Sequence, residues 1–276
     1  MHSVTTACIE KAEIRELIPH SDSMCLLDSV LAWDDESIVC ASQTHLDGTN
    51  PLRRQEHLSA IHAFEYGAQA VAIHGGLRAR SAGAFSPPGY LAALRHASVT
   101  VRSLNQFNCP LEVRARRLFS DSANCVYQCR VSAGEDVVAE GRVTIILRDR
   151  RSLHEPELDS RNGLPAPANP VSQTSPIVFE IHCRVPADHP SLPGHFPDEP
   201  IVPGVVILDE VAGALAQWRQ SRITHIHLAK FLSPLKPEKI FTISFANPSR
   251  AAQVGFRCQV ENRPIVEGCL EVASYD

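Results

Sequence analysis

The sequence is short of several features that define whole classes of protein. Its 26 lysine and arginine residues are outnumbered by 31 aspartate and glutamate residues, which gives a formal net charge of −5 and a pI near 6.2. Because a nucleic-acid-binding domain needs a basic face, this balance argues against that class. No apolar run approaches the ~20 residues that a membrane-spanning helix needs, so no membrane span is predicted.

Signals for secretion, cofactors and metals are also missing. The N-terminus has no basic segment followed by an apolar run, so we predict no signal peptide and a cytoplasmic protein. The sequence has no glycine-rich phosphate loop and no paired Cys-x-x-Cys set. We therefore predict neither a cofactor nor a metal site. The nine scattered cysteines are interpreted as reduced thiols that mostly fill the core.

A proline-rich stretch divides the chain into two halves. Residues 152–176 contain five prolines, no aromatic residue and no hydrophobic period, which is typical of a linker. The length of 276 residues is enough for two domains. We therefore predict an N-terminal domain over 1–151, a linker over 152–176 and a C-terminal domain over 177–276.

Each half has one helical pattern among several extended runs. In the first half we predict a helix over Leu58–Ile73 and strands over Met24–Trp33, Ser37–Gln43, Tyr90–Leu104, Leu111–Phe119, Asn124–Val131 and Val137–Leu147. In the second half we predict a helix over Gly204–Gln220 and strands over Ile177–Val185, Ile223–Phe231, Ile240–Asn247, Gln253–Val260 and Ile265–Ala273. This order indicates an α+β architecture in which a curved antiparallel sheet wraps one helix.

The two predicted helices align with a constant offset of 144 residues. The apolar positions then match one another, and Glu65 of the first helix falls on Asp209 of the second. Both carboxylates lie inside an apolar stripe, where an acid is rarely found without a reason. We take both as candidate site residues; the alternative is a structural acid that pairs with an arginine or bonds locally.

His195 is the candidate base. It follows Gly194 in a loop stiffened by prolines at positions 193, 197, 200 and 203. A rigid loop suits a side chain that must be positioned, and an imidazole with an unperturbed pKa of about 6.5 suits a general base at neutral pH. The alternative interpretation is a surface or structural histidine.

Four motifs resemble those of the bacterial 3-hydroxyacyl-acyl-carrier-protein dehydratases of FabZ and FabA type. The second half carries Gly-His-Phe-Pro-x-x-Pro-x-x-Pro-Gly-Val at 194–205 and Lys-Phe-Leu-Ser-Pro-Leu-Lys-Pro at 230–237. The first half carries Leu-Ile-Pro-His-x5-Leu-Leu-Asp at 17–28 and Glu-Tyr-Gly-Ala-Gln-Ala at 65–70. The first half also resembles the ApeP-type dehydratases of aryl-polyene pathways, and the second half resembles their ApeI-type companions.

This resemblance implies a fold and a reaction. The fold is a double hotdog, two tandem hotdog domains that each wrap an antiparallel sheet around a central helix. In the family, a histidine from one protomer meets a carboxylate from the partner's helix. The histidine removes the α-proton of a 3-hydroxyacyl thioester, while the carboxyl group assists loss of the 3-hydroxyl as water. A backbone N–H at a helix start polarises the thioester carbonyl, and the elimination needs no cofactor.

The motifs carry these roles onto individual residues of the second half. His195 matches the base, and Gly204 matches the residue whose amide polarises the carbonyl. Phe196 and Val205, which adjoin them, are then substrate-binding residues. Asp209 matches the acid, with the aspartate found in FabA-type enzymes in place of the FabZ glutamate.

The first half matches the acid with Glu65 but has no matching base. The offset of 144 places Pro51 where the histidine should be and Ala60 where the glycine should be. If the halves form an intramolecular pseudo-dimer, His195 meets Glu65 in one complete site, while the opposite site pairs Asp209 with Pro51 and is inactive. The competing arrangement is a dimer of chains in which His195 meets Asp209 of another chain, and further oligomerisation is left open.

The predicted function is dehydration of 3-hydroxyacyl-acyl-carrier-protein thioesters to 2-enoyl thioesters, in fatty acid or polyene-type lipid biosynthesis. An acidic carrier protein would meet a basic rim, for which the candidates are Arg53, Arg54, Arg78, Arg80, Lys230, Lys236 and Lys239. We expect the tunnel depth to depend on Phe64, Leu208 and Trp218. A hotdog thioesterase and a non-catalytic acyl-carrier-protein-binding module are the alternatives. The sequence leaves the acyl chain length open, and also the choice between carrier-protein and coenzyme A thioesters.

Overall fold

A computed structural model describes residues 8–84, 86–147, 176–196, 200–246 and 252–274. The predicted linker lies outside these ranges except for its last residue, Pro176. The described chain forms three α-helices and twelve strands that belong to one antiparallel sheet. None of the described helices has the length and apolar character that crossing a membrane requires.

The first half holds two helices and seven strands. The helices are α1 (Lys11–Leu17) and α2 (Ala63–Ser81), and the strands are β1 (Ile9–Glu10), β2 (Ser29–Trp33), β3 (Ser37–Ser42), β4 (Gly89–Val99), β5 (Leu111–Ser120), β6 (Asn124–Ala133) and β7 (Asp136–Leu147). A short 3-10 turn, Ala60–His62, leads into α2, and the Ser59 hydroxyl caps it by accepting a bond from the Ile61 amide.

The second half is shorter and holds one helix among five strands. The helix is α3 (Gly204–Arg219), and the strands are β8 (Ile177–Arg184), β9 (Ser221–Phe231), β10 (Ile240–Ala246), β11 (Gln253–Val260) and β12 (Arg263–Ser274). α3 begins directly after Pro203, whose extended backbone stops the helix from starting earlier. It ends at Gln220, which adopts a left-handed conformation and donates its amide to the Ala216 carbonyl.

The two halves are mirrored in the sheet. The strand order is β1-β2-β3-β5-β6-β7-β4-β9-β12-β11-β10-β8, so β4 and β9 form the junction between the halves. These two strands pair antiparallel, with Leu94 opposite Ala229. Each half contributes five strands in equivalent order, and β1 and β2 extend only the first half. This arrangement is the predicted double hotdog, with the halves joined as a pseudo-dimer.

The cores of the halves are continuous. Phe64 of α2 and Leu208 of α3 are both buried in one hydrophobic cluster that includes residues of both halves. All nine cysteines are free, and Cys8 alone among them is exposed, in agreement with thiols that mostly fill the core.

The predicted elements correspond to the observed ones with four differences. The strand predicted over Tyr90–Leu104 ends at Val99, and Leu104 begins a 3-10 turn. α2 begins five residues later than predicted and ends eight residues later, because its second half packs alanines and glycines that carry little hydrophobic period. The extended run that starts at Met24 forms a strand only from Ser29 onward. α1 and β1 were not predicted.

Candidate active site

His195 is held in a loop of the second half that packs against the first half. The Ser21 amide donates to the Gly194 carbonyl over 3.1 Å. A Cβ atom at position 194 would overlap the Ser21 carbonyl oxygen and the Met24 side chain, so this close approach requires glycine. The loop therefore brings His195 to the N-terminal domain.

One ring nitrogen of His195 is fixed by the backbone. Its Nδ1 lies 2.8 Å from the carbonyl oxygen of Ile201, and the Ile201 amide donates to the His195 carbonyl over 3.1 Å. Because a carbonyl can only accept, Nδ1 carries the proton and neutral Nε2 carries the lone pair. The ring is thus set in the tautomer that a general base needs, with Nε2 as the accepting atom.

Glu65 lies in the first turn of α2 and is 4% exposed. Its Oε1 accepts from His20 Nε2 over 3.1 Å and from Gln69 Nε2 over 3.2 Å. Gln69 is itself anchored, since its amide nitrogen donates to the Met24 carbonyl and its oxygen accepts from the Leu26 amide. Two side chains of the first half therefore fix the carboxylate before any substrate arrives.

The structure brings His195, Glu65 and His20 together. One ring nitrogen of each histidine and one carboxylate oxygen all lie within 4.8 Å of one another. The His20 and His195 rings have centroids 5.3 Å apart, and both rings contact Phe196. His20 belongs to the Leu-Ile-Pro-His motif at 17–20, but it was not predicted as a site residue. The motif marked His20, and only the docking of the segment before β2 on α2 places it beside Glu65.

The surroundings shift the pKa values of the pair in directions that keep His195 uncharged and Glu65 ionised at neutral pH. Burial lowers the pKa of His195 to about 4, against an opposing effect of the Glu65 charge. Burial alone would raise the pKa of Glu65, but the hydrogen bond and charge of His20, the charge of His195 and the Gln69 bond lower it to about 2. At neutral pH His195 is therefore uncharged and Glu65 carries no proton of its own.

Asp209 lies on α3 and does not line the cavity that His195 and Glu65 line. It is half-buried, and its charge acts on His62 and His189, although burial remains the largest influence and lowers the pKa of both histidines. Its neighbour Glu210 pairs with Arg54 over 2.9 Å. The carboxylate that the structure places near His195 is thus that of Glu65.

The three predicted substrate-binding residues have different positions. Gly204 and Phe196 line the same cavity as His195. A Cβ atom on Gly204 would lie 2.6 Å from the Phe231 ring, so a larger residue cannot be placed there without displacing that ring. Val205 is fully buried in the core and does not line the cavity, which corrects its prediction as a substrate-binding residue.

The cavity has a volume of about 640 Å³ and a mainly apolar lining. It runs from His195 and Glu65 along the face of α2 that carries Ala68, Val71, Ala72 and Gly75. A volume of this size is typical of a site for a small molecule or an acyl chain.

The side chains predicted to set the tunnel depth do not line it. Phe64 and Leu208 are buried in the core, and Trp218 stacks on Phe245 of the second half. The prediction was wrong because large apolar residues on the helices fill the core, whereas the cavity exists where the α2 residues are small.

Most of the candidate basic rim does not surround this cavity. Arg54 pairs with Glu210, Arg53 donates to the carbonyls of His45 and Glu56, and Arg80 pairs with Glu13. Arg78 is the basic candidate that lines the cavity.

His20, Glu65 and His195 also form a group that could hold a metal ion. Two imidazoles and one carboxylate are a donor set that zinc accepts. The 3.1 Å separation of His20 Nε2 and Glu65 Oε1 is also the length of a direct hydrogen bond, and proton transfer among these groups requires no metal. The absence of a metal site stays a prediction of the sequence.

The fold and the site together define a class: a double-hotdog protein with a histidine and a carboxylate beside an apolar cavity. Comparison of the chain with family models identifies the family within that class. The ApeP-like model, described as ApeP dehydratase, matches residues 12–154, and the ApeI-like model, described as ApeI dehydratase, matches residues 171–269. The chain belongs to the FabZ-like hotdog dehydratases and carries an ApeP-like and an ApeI-like domain in tandem.

A curated relative agrees with this assignment. The chain is 34% identical over 107 residues to the 3-hydroxyacyl-[acyl-carrier-protein] dehydratase FabZ of Chlamydia abortus, a match that covers 34% of this chain and 70% of the relative.

Solved structures support the fold. A MaoC-like dehydratase from Phytophthora capsici superposes with a TM-score of 0.54 at 14% identity, over 100% of this chain and 96% of its own. A putative oleoyl thioesterase from Lactobacillus plantarum superposes with a TM-score of 0.56 at 12% identity, over 81% of this chain and 92% of its own. At such identities the likeness concerns the fold alone.

Proposed function

We propose that the chain dehydrates 3-hydroxyacyl-acyl-carrier-protein thioesters to trans-2-enoyl thioesters at a composite site between its two halves. The observation that carries this proposal is the meeting of His195, from the second half, with Glu65, from the first half, beside one apolar cavity. The predicted domains, 1–151 and 177–276 with a linker between them, then act as an intramolecular pseudo-dimer.

The roles follow from the geometry of each group. Nε2 of His195 accepts the α-proton, since Nδ1 is occupied by the Ile201 carbonyl. The Gly204 amide stands at the start of α3, where first-turn N–H groups and the helix dipole stabilise negative charge on the thioester oxygen. Glu65, in the first turn of α2, serves the departing 3-hydroxyl, which leaves as water.

The acyl carrier protein is proposed as the substrate carrier because the FabZ relative is named for that substrate. The cavity supplies the space for an acyl chain, and Arg78 in its lining supplies a positive charge that suits an acidic carrier protein. Chain length is not part of the proposal. The cytoplasmic location stays a prediction from the sequence, as does any oligomer beyond the pseudo-dimer.

The test is incubation of the purified full chain with a 3-hydroxyacyl-acyl-carrier protein, followed by mass spectrometry of the acyl-phosphopantetheine arm. The expected product is lighter than the substrate by one water, and the reverse reaction should hydrate an enoyl substrate. A parallel incubation with the coenzyme A thioester shows how far the carrier protein contributes to recognition.

Two outcomes would replace the proposal by one of its alternatives. Release of free 3-hydroxy acid and a bare phosphopantetheine thiol would identify a thioesterase. Tight binding of the acylated carrier protein without any conversion would identify a binding module.

A further inference from the structure

His20 is in contact with the proposed acid, and the proposed roles leave it without a task. Its ring is 8% exposed and lines the cavity, and its Nε2 is 3.1 Å from Glu65 Oε1. It comes from the segment between α1 and β2, so the first half supplies both the carboxylate and the imidazole that bonds it.

The hydrogen bonding of His20 differs from that of His74, a buried histidine that cross-links two elements. A buried histidine that cross-links two elements usually has both ring nitrogens bonded. His74 is such a residue, with Nδ1 bonded to the Tyr127 hydroxyl and Nε2 to the Asp34 carbonyl. In His20, Nδ1 is buried and has no hydrogen-bond partner among the described residues. Its one polar contact is therefore the bond to Glu65.

The departing hydroxyl must receive a proton, and Glu65 alone does not carry one at neutral pH. The pKa of its carboxyl group is lowered to about 2, against the effect of burial, by the His20 bond and the surrounding positive charge. The titratable groups that act on this carboxylate from the packed elements are His20 and His195, and Glu65 in turn acts on His62. His195 is unavailable as the donor because it is the group that accepts the α-proton.

We propose that His20 and Glu65 act as one acid, in which His20 holds the proton that Glu65 delivers to the leaving 3-hydroxyl. This inference rests on the proposed dehydratase function and names the proton source of the same site. His20 acts through Glu65, so it is a positioning and proton-holding residue, whereas Glu65 faces the substrate.

The proton balance closes without any other reactant. His195 Nε2 takes the α-proton, the bond between C3 and its oxygen breaks, and the hydroxyl leaves with the proton of the His20–Glu65 pair as water. His195 is then protonated, and the pair has lost one proton. The two imidazole rings, 5.3 Å apart between centroids, then exchange that proton and restore the starting state.

The test compares His20→Gln with His62→Gln in the full chain. The glutamine at position 20 keeps an N–H donor for Glu65 but cannot hold a transferable proton. His62 is the matched control, because it is also a buried histidine near a helix carboxylate, Asp209, and it does not line the cavity. Both variants are assayed for kcat and KM with a 3-hydroxyacyl-acyl-carrier protein across the pH range in which the parent chain is active.

We expect His20→Gln to lower kcat by about 100-fold or more, the usual size of a lost acid, with KM changed less than about threefold. The fall of kcat at alkaline pH, which reports loss of the pair's proton, should disappear. Added imidazole should restore part of the rate of His20→Ala, and His62→Gln should stay within about twofold of the parent. Retention of more than a third of kcat by His20→Gln, with the parent pH profile, would overturn the inference.

A measurement on the unmodified chain keeps the inference testable if the variants do not fold. Nitrogen-15 NMR of histidine-labelled protein follows the protonation of His20 directly. We expect His20 to lose its proton at the pH where kcat falls on the alkaline side, and a mismatch of more than about one pH unit would contradict the proposal. Absence of any enoyl product with the parent chain would instead reject the dehydratase function, and this inference with it.

Discussion

The two halves of the molecule have nearly the same fold, but equivalent positions in them carry different side chains. The regions around Glu65 on α2 and Asp209 on α3 are here called the two corners. One corner holds His195, Glu65 and His20 beside a cavity of about 640 Å³. The opposite corner holds Asp209 on α3, close enough to His62 for its charge to act on that ring. Pseudo-symmetry of the backbone therefore does not produce two equivalent sites.

Several side chains of the second corner are buried or paired. His62 is 2% exposed, and neither of its ring nitrogens has a hydrogen-bond partner among the described residues. The Arg54–Glu210 ion pair lies next to Asp209 along the chain. Position 51, where the sequence repeat would place a base, is a buried proline. Whereas the first corner has His195 beside Glu65, the second has the Asp209 carboxylate, whose charge acts on the buried His62 and on the loop residue His189.

The largest difference between the corners should come from their histidines. His195→Gln removes the proposed base, and we expect kcat to fall on the order of 10²–10⁴-fold, the usual contribution of a positioned base. His189→Gln changes a half-buried histidine of the same loop region whose Nδ1 bonds Ser191, and it should stay within about threefold of the parent. Steady-state kinetics of both variants make the comparison. Equal losses would show that the loop, and not the His195 imidazole, matters.

The helix starts offer a second comparison. Gly204→Ala places a Cβ atom 2.6 Å from the Phe231 ring, so the first turn of α3 or the ring must shift. We expect a loss of kcat of about 10- to 100-fold, since a displaced amide stabilises the thioester oxygen poorly. Gly213→Ala is the control within the same helix, because a Cβ atom there meets nothing within 4 Å.

The control variant Gly213→Ala should change stability without changing activity. Gly213→Ala should leave kcat unchanged and raise the free energy of unfolding by about 0.5–1 kcal/mol, as expected for glycine replaced inside a helix. Denaturant unfolding measures this gain. Similar activity of the two alanine variants would argue against a role for the start of α3.

The cavity belongs to one corner, and its length can be tested from α2. Gly75 lines the cavity, and a Cβ atom there meets only the Ser86 hydroxyl at 3.6 Å. Gly75→Leu should therefore direct its side chain into the acyl space. Each excluded methylene forfeits about 0.8 kcal/mol, so kcat/KM should fall about fourfold per lost methylene for long acyl chains and little for short ones. A uniform loss across chain lengths would place the acyl chain elsewhere.

The buried histidines should also make the protein sensitive to acid. Burial lowers the pKa of His195 to about 4, whereas its pKa in the unfolded state is about 6.5. Between these two pH values the unfolded state therefore binds one more proton than the folded state. Stability is therefore lost as the pH falls through this window, on the order of 3 kcal/mol from His195. The pKa values of His62, His74 and His45, all lowered mainly by burial, act in the same direction.

Urea unfolding at pH 7 and pH 4.5 tests this sensitivity. The parent chain should lose stability at the lower pH, and His195→Gln should lose about 2 kcal/mol less, because it lacks one of the titrating groups. An identical loss in both proteins would mean that His195 is not held neutral by burial.

Much of the architecture could be predicted from the sequence because it depends on local pattern. The helix repeat located Glu65 and Asp209 at equivalent positions, and the proline-fenced loop marked His195. Alignment of the two halves places a histidine at the base position in only one of them, and this predicted a single complete site. These signals are all present within short segments of the chain.

The remainder depends on contacts between distant segments. His20 is 45 residues from Glu65 along the chain, and only the docking of the loop before β2 on α2 brings them together. Val205 was expected to touch substrate because it follows Gly204, but the helix turns its side chain into the core. The cavity was likewise not predictable, because it is formed by small residues of α2 that leave no hydrophobic period.

The central claim is that His195 works with Glu65 and not with Asp209, and the most direct test is kcat of Glu65→Gln against Asp209→Asn. Each variant replaces a carboxylate by its amide and keeps the shape of the side chain. The account predicts that Glu65→Gln loses at least about 100-fold in dehydration of a 3-hydroxyacyl-acyl-carrier protein, while Asp209→Asn stays within about threefold of the parent. The reverse ranking would contradict it and would favour a site shared between two chains.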